Sequence, residues 1–207
     1  SNMTDKNSYR KVTPKILKGF RDYPPEEEIA RQKLIEITKS IYEKHGFLPL
    51  QTPALEYAET LLGGNYTADN LKELFGFHGP DEVDMALRYE FTVSLARHIA
   101  GNPELPLPFR RYQYGPVWRV DKPGPGRYRE FMQCDFDIIG ASSMLADAEI
   151  ITVMTKAMNG LGIKNFVVRY SNRKLINGLS SFAGIPPERV TDVFRVIDKL
   201  EKQGKEA

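Results

Sequence analysis

The sequence is poor in the residues that announce a function by themselves. One cysteine, Cys134, excludes a disulfide within the chain. Three histidines, His45, His78 and His98, have no partner at metal-ligand spacing, so no metal held by protein side chains is expected. No apolar run approaches the roughly 20 residues of a membrane span, and no charged-then-apolar leader opens the chain. An excess of charge is lacking too: 29 basic against 27 acidic residues leave +2, so any contact with nucleic acid must come from a local patch. Repeats, low-complexity tracts and clear linkers are absent. These absences predict a cytoplasmic, globular protein with no membrane association.

What is there is a chain of 207 residues with 41% hydrophobic content, enough for one substantial core or two small ones. Its most informative stretch is RYQYGPVWRVDKPGPGRYREFMQCDFDIIG, residues 111–140. Up to Asp121 the even positions Tyr112, Tyr114, Pro116, Trp118 and Val120 are apolar, while the odd ones include Arg111, Gln113, Arg119 and Asp121. A period of two predicts a strand with one buried face. After the turn-forming KPGPG the alternation resumes, with Met132, Cys134, Phe136 and Ile138 opposed to Phe131, Gln133, Asp135 and Asp137. An antiparallel hairpin with a flexible basic tip follows. Cys134, on its core face, is expected to be a buried and inert thiol.

If that hairpin closes in an even register, Arg119, Asp121, Phe131, Gln133, Asp135 and Asp137 share one surface. A solvated hairpin face is the plain alternative, but the residue types argue for more. Arginine offers a donor fork for phosphate. Phe131 offers a ring on which a base stacks, and the carboxylates and amide accept from cationic groups. Together they suit an anionic nucleotide joined to a cationic small molecule.

The flanking chain reads as follows. Residues 1–15 are taken as a tag remnant and a flexible N-terminus, and 16–207 as one domain. A helix starts at Pro24-Pro25 before three glutamates, carries Ile29, Leu34, Ile37, Ile41 and Tyr42 on one face, and stops at His45-Gly46. The segment around Pro53 is extended and lies at an edge or interface. A mobile loop is expected from Asn65 to Asn70. A third strand begins at Asp84, with Met85, Leu87, Tyr89 and Phe91 opposed to Arg88, Glu90 and Thr92; a helix capped by Thr92 then runs from Val93 to Ala100. Further on come a helix with Ile150, Ile151, Met154, Met158 and Leu161 inward and Gly162 as its stop, a short strand from Phe166 to Tyr170, and helices from Arg173 to Phe182 and from Pro187 to Lys202.

Four of these stretches together resemble the class II aminoacyl-tRNA synthetases, and within them the histidyl-tRNA synthetases. LKGFRDYPPEE resembles the entry to their catalytic domain, GFLPLQTPALE their motif 1, LRYEFTVSLARHIA the histidine-binding strand and helix, and YGPVWRVDKPGPGRYREFMQCDFDIIG motif 2 in its histidyl form. DAEII and VRYSNRKLINGL continue the likeness over nearly all of the chain.

The resemblance implies an α+β fold, with a six-stranded antiparallel sheet flanked by helices and incomplete in this chain, and a homodimer formed through motif 1 around Pro53. It implies ATP with Mg2+, histidine and tRNA(His) as cofactors and partners, and a histidine-tRNA ligase reaction through histidyl-adenylate. Carried over residue by residue, Arg119 holds the α-phosphate as the catalytic arginine, Phe131 stacks under adenine, Asp121 stands near the adenine amino group and Arg127 reaches the outer phosphates. Glu90, Thr92 and Gln133 take the amino and carboxyl end of histidine, and Asp137 accepts from the imidazole. Asp135 stays outside the catalytic set, as site residue or as support. Motif 3 and the anticodon-binding domain are not in the sequence, which is read as a partial catalytic domain that does not form adenylate on its own.

Two rival readings stand beside this one. A synthetase-like regulatory subunit of ATP phosphoribosyltransferase would sense histidine without needing the ATP half of the site. An RNA-binding module would use Lys122, Arg127 and Arg129 at the hairpin tip, a modest cluster for independent affinity.

Overall fold

The structure is a computed structural model that describes residues 12–65, 67, 70–80, 82–193 and 195–196. The chain divides after Lys164 into two units. The reading of residues 1–11 as a frayed terminus, the centre of the expected 65–70 loop and the helix beyond 196 lie outside the described residues.

The first unit opens on α1, Pro25–Lys44, which has proline at its first position and Glu26, Glu27 and Glu28 against the positive end of the helix dipole. Gly46, at φ 77°, closes it with the left-handed turn that glycine tolerates, and Phe47 folds back so that its N–H donates to the Tyr42 carbonyl at 3.1 Å. Strand β1, Leu48–Pro49, runs parallel to β5, Phe109–Trp118, and β5 pairs antiparallel with β6, Glu130–Ile139. A second sheet is antiparallel in the order β2, β4, β3, from β2 Leu55–Tyr57, β3 Gly76–His78 and β4 Asp84–Leu87. Three helices complete the unit: α2 Ala58–Leu62, α3 Thr92–Ala100 and α4 Met144–Gly160.

The described strands therefore form two three-stranded sheets, one of them mixed, rather than a single antiparallel one. The crossing point is Arg88. Its N–H donates to the Ala54 carbonyl and its carbonyl accepts from the Trp118 N–H, at 2.9 and 3.0 Å, so the chain passes from one sheet to the other there. For the same reason the third strand stops at Leu87 instead of continuing to Thr92. Pro53 sits between β1 and β2, exposed and outside both strands.

The core lies on the even side of the hairpin. Tyr42, Phe47, Tyr112, Val153 and Ala157 are buried there, with Ile41, Tyr114, Phe136, Ile138 and Ile150 packed around them. The Tyr42 and Phe136 rings stack at 4.7 Å, and Tyr112 donates its hydroxyl to Glu43 at 2.7 Å. Only the last turns of α1 take part: Ile29, Leu34 and Ile37 are exposed, at 56%, 49% and 36%. Cys134 is exposed as well, near Thr38 and Tyr42, because that end of the even face is left uncovered. The expectation of a buried thiol fails on this point.

The strand with one buried face is likewise corrected. On β5 the odd residues Arg111, Gln113 and Val117 are fully buried; Thr52 meets Gln113, and Arg88 and Phe91 lie against Gly115 on the same side. It is the central strand of its sheet and is packed on both sides.

In the second unit α5 spans Arg173–Phe182 as the periodicity predicts. The strand expected at Phe166–Tyr170 does not form; the backbone there pairs with no other strand. Pro187–Arg189 is a 3-10 turn, and helical residues follow at 190–193.

Candidate active site

The hairpin register decides the site. Phe109 faces Ile139 and Trp118 faces Glu130, so odd residues pair with odd: Arg111 with Asp137, Gln113 with Asp135, Gly115 with Gln133 and Val117 with Phe131. Phe131, Gln133, Asp135 and Asp137 therefore lie along one face of β6, all half-buried.

Regular pairing ends at Trp118, short of the Asp121 expected, and Arg119 and Asp121 stand just past the ladder. The Arg119 N–H still reaches the Arg129 carbonyl at 2.9 Å, and the tip is closed by reciprocal bonds between Gly124 and Arg127, with Gly126 at φ 69° as a Pro-Gly turn requires. The tip is thus closed as a hydrogen-bonded turn. It is anchored further by Gly19, whose carbonyl accepts from the Arg129 N–H at 2.7 Å and whose missing side chain leaves room for the Arg129 stem.

Arg119 is held from three sides. Its Nε donates to the Tyr89 carbonyl at 3.1 Å, its Nη2 to Gln133 Oε1 at 3.3 Å, and its guanidinium lies 5.1 Å from the centre of the Phe131 ring. Gln133 passes the chain of bonds on, its Nε2 donating to Asp135 at 3.0 Å. Asp121 and Arg127 pair with each other at 2.8 Å, and that hydrogen bond holds the Asp121 carboxyl below its usual range. Beside these groups opens a cleft of about 560 Å³ lined by Leu61, Leu62, Glu73, Leu74, Tyr89, Arg119, Val120 and Asp121.

Glu90 does something the sequence did not foretell. Its two carboxylate oxygens accept from the backbone N–H groups of Thr92 and Val93, at 2.5 and 2.7 Å, so Glu90 caps α3 and Thr92 is the first residue of that helix rather than its cap. It makes no bond to Arg88, whose guanidinium instead donates to the Thr52 and Pro116 carbonyls.

At the far end Asp137 meets Arg111, Nη2 to Oδ2 at 2.6 Å. Burial pushes the Asp137 and Asp135 carboxyls above their usual range; Arg111 opposes this at Asp137, and the Gln133 hydrogen bond together with Arg111 at Asp135. The buried Arg111 guanidinium is itself shifted down by burial, against the pull of Asp137, Asp135 and Glu90.

The sequence reading placed Arg119, Asp121, Phe131, Gln133, Asp135 and Asp137 on one surface and Arg127 at the loop tip; the structure lines up Phe131, Gln133, Asp135 and Asp137 on that face and sets Arg119 and Asp121 just past the ladder. That reading missed Arg111, Arg88 and the lining residues Glu73 and Leu74. Arg111 carried a signal, since it stands in the odd set opposite Asp137. Nothing marked Glu73, which is brought in by a loop. Among the described residues no group of three acidic, histidine or cysteine side chains is arranged to hold a metal ion.

The arrangement, two small sheets with a polar hairpin face beside a cleft, is the class II aminoacyl-tRNA synthetase fold. The family model described as histidyl-tRNA synthetase matches residues 19–205, and the chain belongs to that family. The histidine–tRNA ligase of Wolinella succinogenes is 44% identical over 95% of this chain, and that of Treponema denticola 43% over 94%. The crystal structure of histidyl-tRNA synthetase from Nostoc superposes with a TM-score of 0.80 at 32% identity, covering 94% of this chain and 43% of that one. An ATP phosphoribosyltransferase regulatory subunit/histidyl-tRNA synthetase from Bacillus halodurans matches at a TM-score of 0.66, covering 75% of this chain and 40% of that one, and at 24% identity shares the fold alone. The chain spans less than half the length of the curated relatives it matches, 44% and 43% for the two ligases named.

Proposed function

We propose that this chain carries the ATP- and histidine-binding part of a histidine–tRNA ligase catalytic domain, working with Mg2+ and tRNA(His) in a cytoplasmic homodimer that meets around Pro53. The observation that carries the reading is the continuous path from Arg119 through Gln133 to Asp135, with Asp137 next along the same face. One end of that path is cationic and the other anionic, as a nucleotide phosphate and a protonated amino acid require. No group of the chain is suited to cage Mg2+ among the described residues, so the ion would ride on the ATP phosphates, where it neutralises charge.

In the first step a histidine carboxylate oxygen bonds to the α-phosphorus and the bond to pyrophosphate breaks. Arg119 takes the charge that gathers on the α-phosphate oxygens; losing one such donor costs about 10²- to 10³-fold in rate. Phe131 stacks under adenine once the Arg119 guanidinium moves to the phosphate. Asp121 faces the adenine amino group, and Arg127 leaves Asp121 for the outer phosphates. Glu90, beside Thr92, has lone pairs to spare for the substrate ammonium while it caps α3, Gln133 binds the same end of histidine, and Asp137 accepts from the imidazole N–H. A hydroxyl of the terminal tRNA ribose then bonds to the histidyl carbonyl carbon as the bond to the adenylate phosphate breaks, releasing AMP.

The test is calorimetric titration of the chain with histidine and with a nonhydrolysable ATP analogue, followed by ATP–pyrophosphate exchange. Binding of both ligands is expected, with Phe131→Ala weakening the analogue by about 1–3 kcal/mol and leaving histidine unaffected. Exchange by this chain alone is expected to be negligible. Failure to bind either ligand overturns the proposal, and histidine binding without any affinity for the analogue favours a histidine-sensing role.

A further inference from the structure

Arg111 is the largest fully buried side chain in the described structure, yet Nε, Nη1 and Nη2 all lack a hydrogen-bond partner. Its close approach to Asp137 is an ion pair without hydrogen-bond alignment, and Asp137 Oδ2 is left without a hydrogen bond as well. Burying a guanidinium in this way is costly unless anionic groups compensate it. Three carboxylates supply that compensation: Asp137 and Asp135 from β6, and Glu90 from the turn before α3. Arg119, the other charge near Asp135, lies outside at the surface. One fully buried cation thus stands beside three half-buried acidic groups, on the same face of the hairpin as Asp135 and Asp137, and it has no surface of its own to offer a ligand.

We infer that Arg111 is a positioning residue for the amino-acid pocket: from the neighbouring strand, on the same face of the hairpin, it fixes Asp137 in place as a charged acceptor and keeps the acidic trio together. The inference rests on the histidine-binding reading above. Without Arg111 three carboxylates would be left half-buried with no buried cation beside them, and the Asp137 carboxyl, already raised by burial, would lose the charge that opposes the rise and hold its proton to higher pH. An uncharged carboxyl is a poorer acceptor for an imidazole N–H and is free to turn over. Arg111 touches neither the substrate nor the reacting atoms; it works through Asp137.

The experiment is a carbon-13 carboxyl NMR titration of the ligand-free chain, with the Asp137 signal assigned by its loss in Asp137→Asn, compared with Arg111→Met and Arg111→Lys. The expected result is an upward shift of the Asp137 midpoint by about one unit or more in Arg111→Met, largely reversed in Arg111→Lys. An unchanged midpoint in Arg111→Met overturns the inference. Should Arg111→Met not fold, the isosteric Asp137→Asn decides through the nitrogen-15 signals of Arg111: slow guanidinium rotation in the parent is expected to become fast, and rotation equally slow in both overturns the inference. Histidine titrations separate this from the wider reading. Affinity in Arg111→Met is expected to fall about tenfold at pH 6 relative to the parent and to recover toward pH 8, a profile that a purely structural defect would not produce. If the Asp137 midpoint moves and the parent chain binds no histidine, the ligase reading falls and the pair stands; if histidine binds and the midpoint is fixed, the reverse holds.

Discussion

Arg97 on α3 grips Glu56 on β2 across 41 positions of sequence, its Nε and Nη2 both donating to Oε1, at 2.9 and 2.7 Å. Glu56 is buried at 7% exposure, so this pair ties the helix whose first turn Glu90 caps to the smaller sheet. Removing the arginine strands a buried carboxylate. Arg97→Met is expected to lower stability by about 3 kcal/mol in urea denaturation, whereas the double variant Arg97→Met/Glu56→Met, which removes both charges, recovers much of the loss.

Gly115 faces Arg88 where β5 meets the odd side of the hairpin. A Cβ there would stand 2.8 Å from Arg88 Nη2, and that guanidinium has little freedom, bonded to Thr52 and Pro116 and packed 4.8 Å from the Phe91 ring. Gly115→Ala is expected to lower stability by about 1–3 kcal/mol through overpacking, read as a fall in Tm. Combining it with Arg88→Met tests the cause: a contact effect makes the two losses less than additive.

Glu90 has two separable duties. Glu90→Ala removes the cap of α3 and is expected to cost about 0.5–2 kcal/mol of stability. Glu90→Gln keeps one acceptor oxygen but loses the negative charge, so it is expected to fold nearly as well while binding histidine more weakly. Equal loss of stability in both variants, with histidine affinity intact in Glu90→Gln, would leave Glu90 as a cap and nothing more.

Asp135 titrates above its unfolded-state value because burial penalises its charged form. For a carboxyl raised in this way the stabilising contribution is complete below the unfolded pKa and is lost as pH rises through the folded one. Asp135→Asn is therefore expected to flatten the decline of stability between mildly acid pH and neutrality and to make the ligand-free chain more stable at pH 7. Denaturant titrations at pH 4.5 and 7 check the sign.

Much of this architecture was legible beforehand because it rests on local rules. Prolines and glutamates start α1, Gly46 ends it, and the two-residue alternation across Pro-Gly pairs defines the hairpin and its common odd face. What misled was the assumption that an alternating strand has one wet side. Arg111 and Gln113 look solvent-facing by type and are fully buried; Gln113 is met by Thr52, 61 positions away in sequence, and Arg88 and Phe91 pack beside Gly115 on the same side. The same distance effect hid the capping by Glu90, where a serine or threonine is the usual signal.

Residue order alone settled the kinds of groups in the candidate site and their side of the hairpin, since a period of two leaves each side chain no choice of face once the register is even. Only the folded chain decided which of them are paired, which are held in reserve, and that a cation lies sealed beside the acidic row on the same face. Burial and electrostatic compensation depend on what packs from other segments, and no local pattern encodes that.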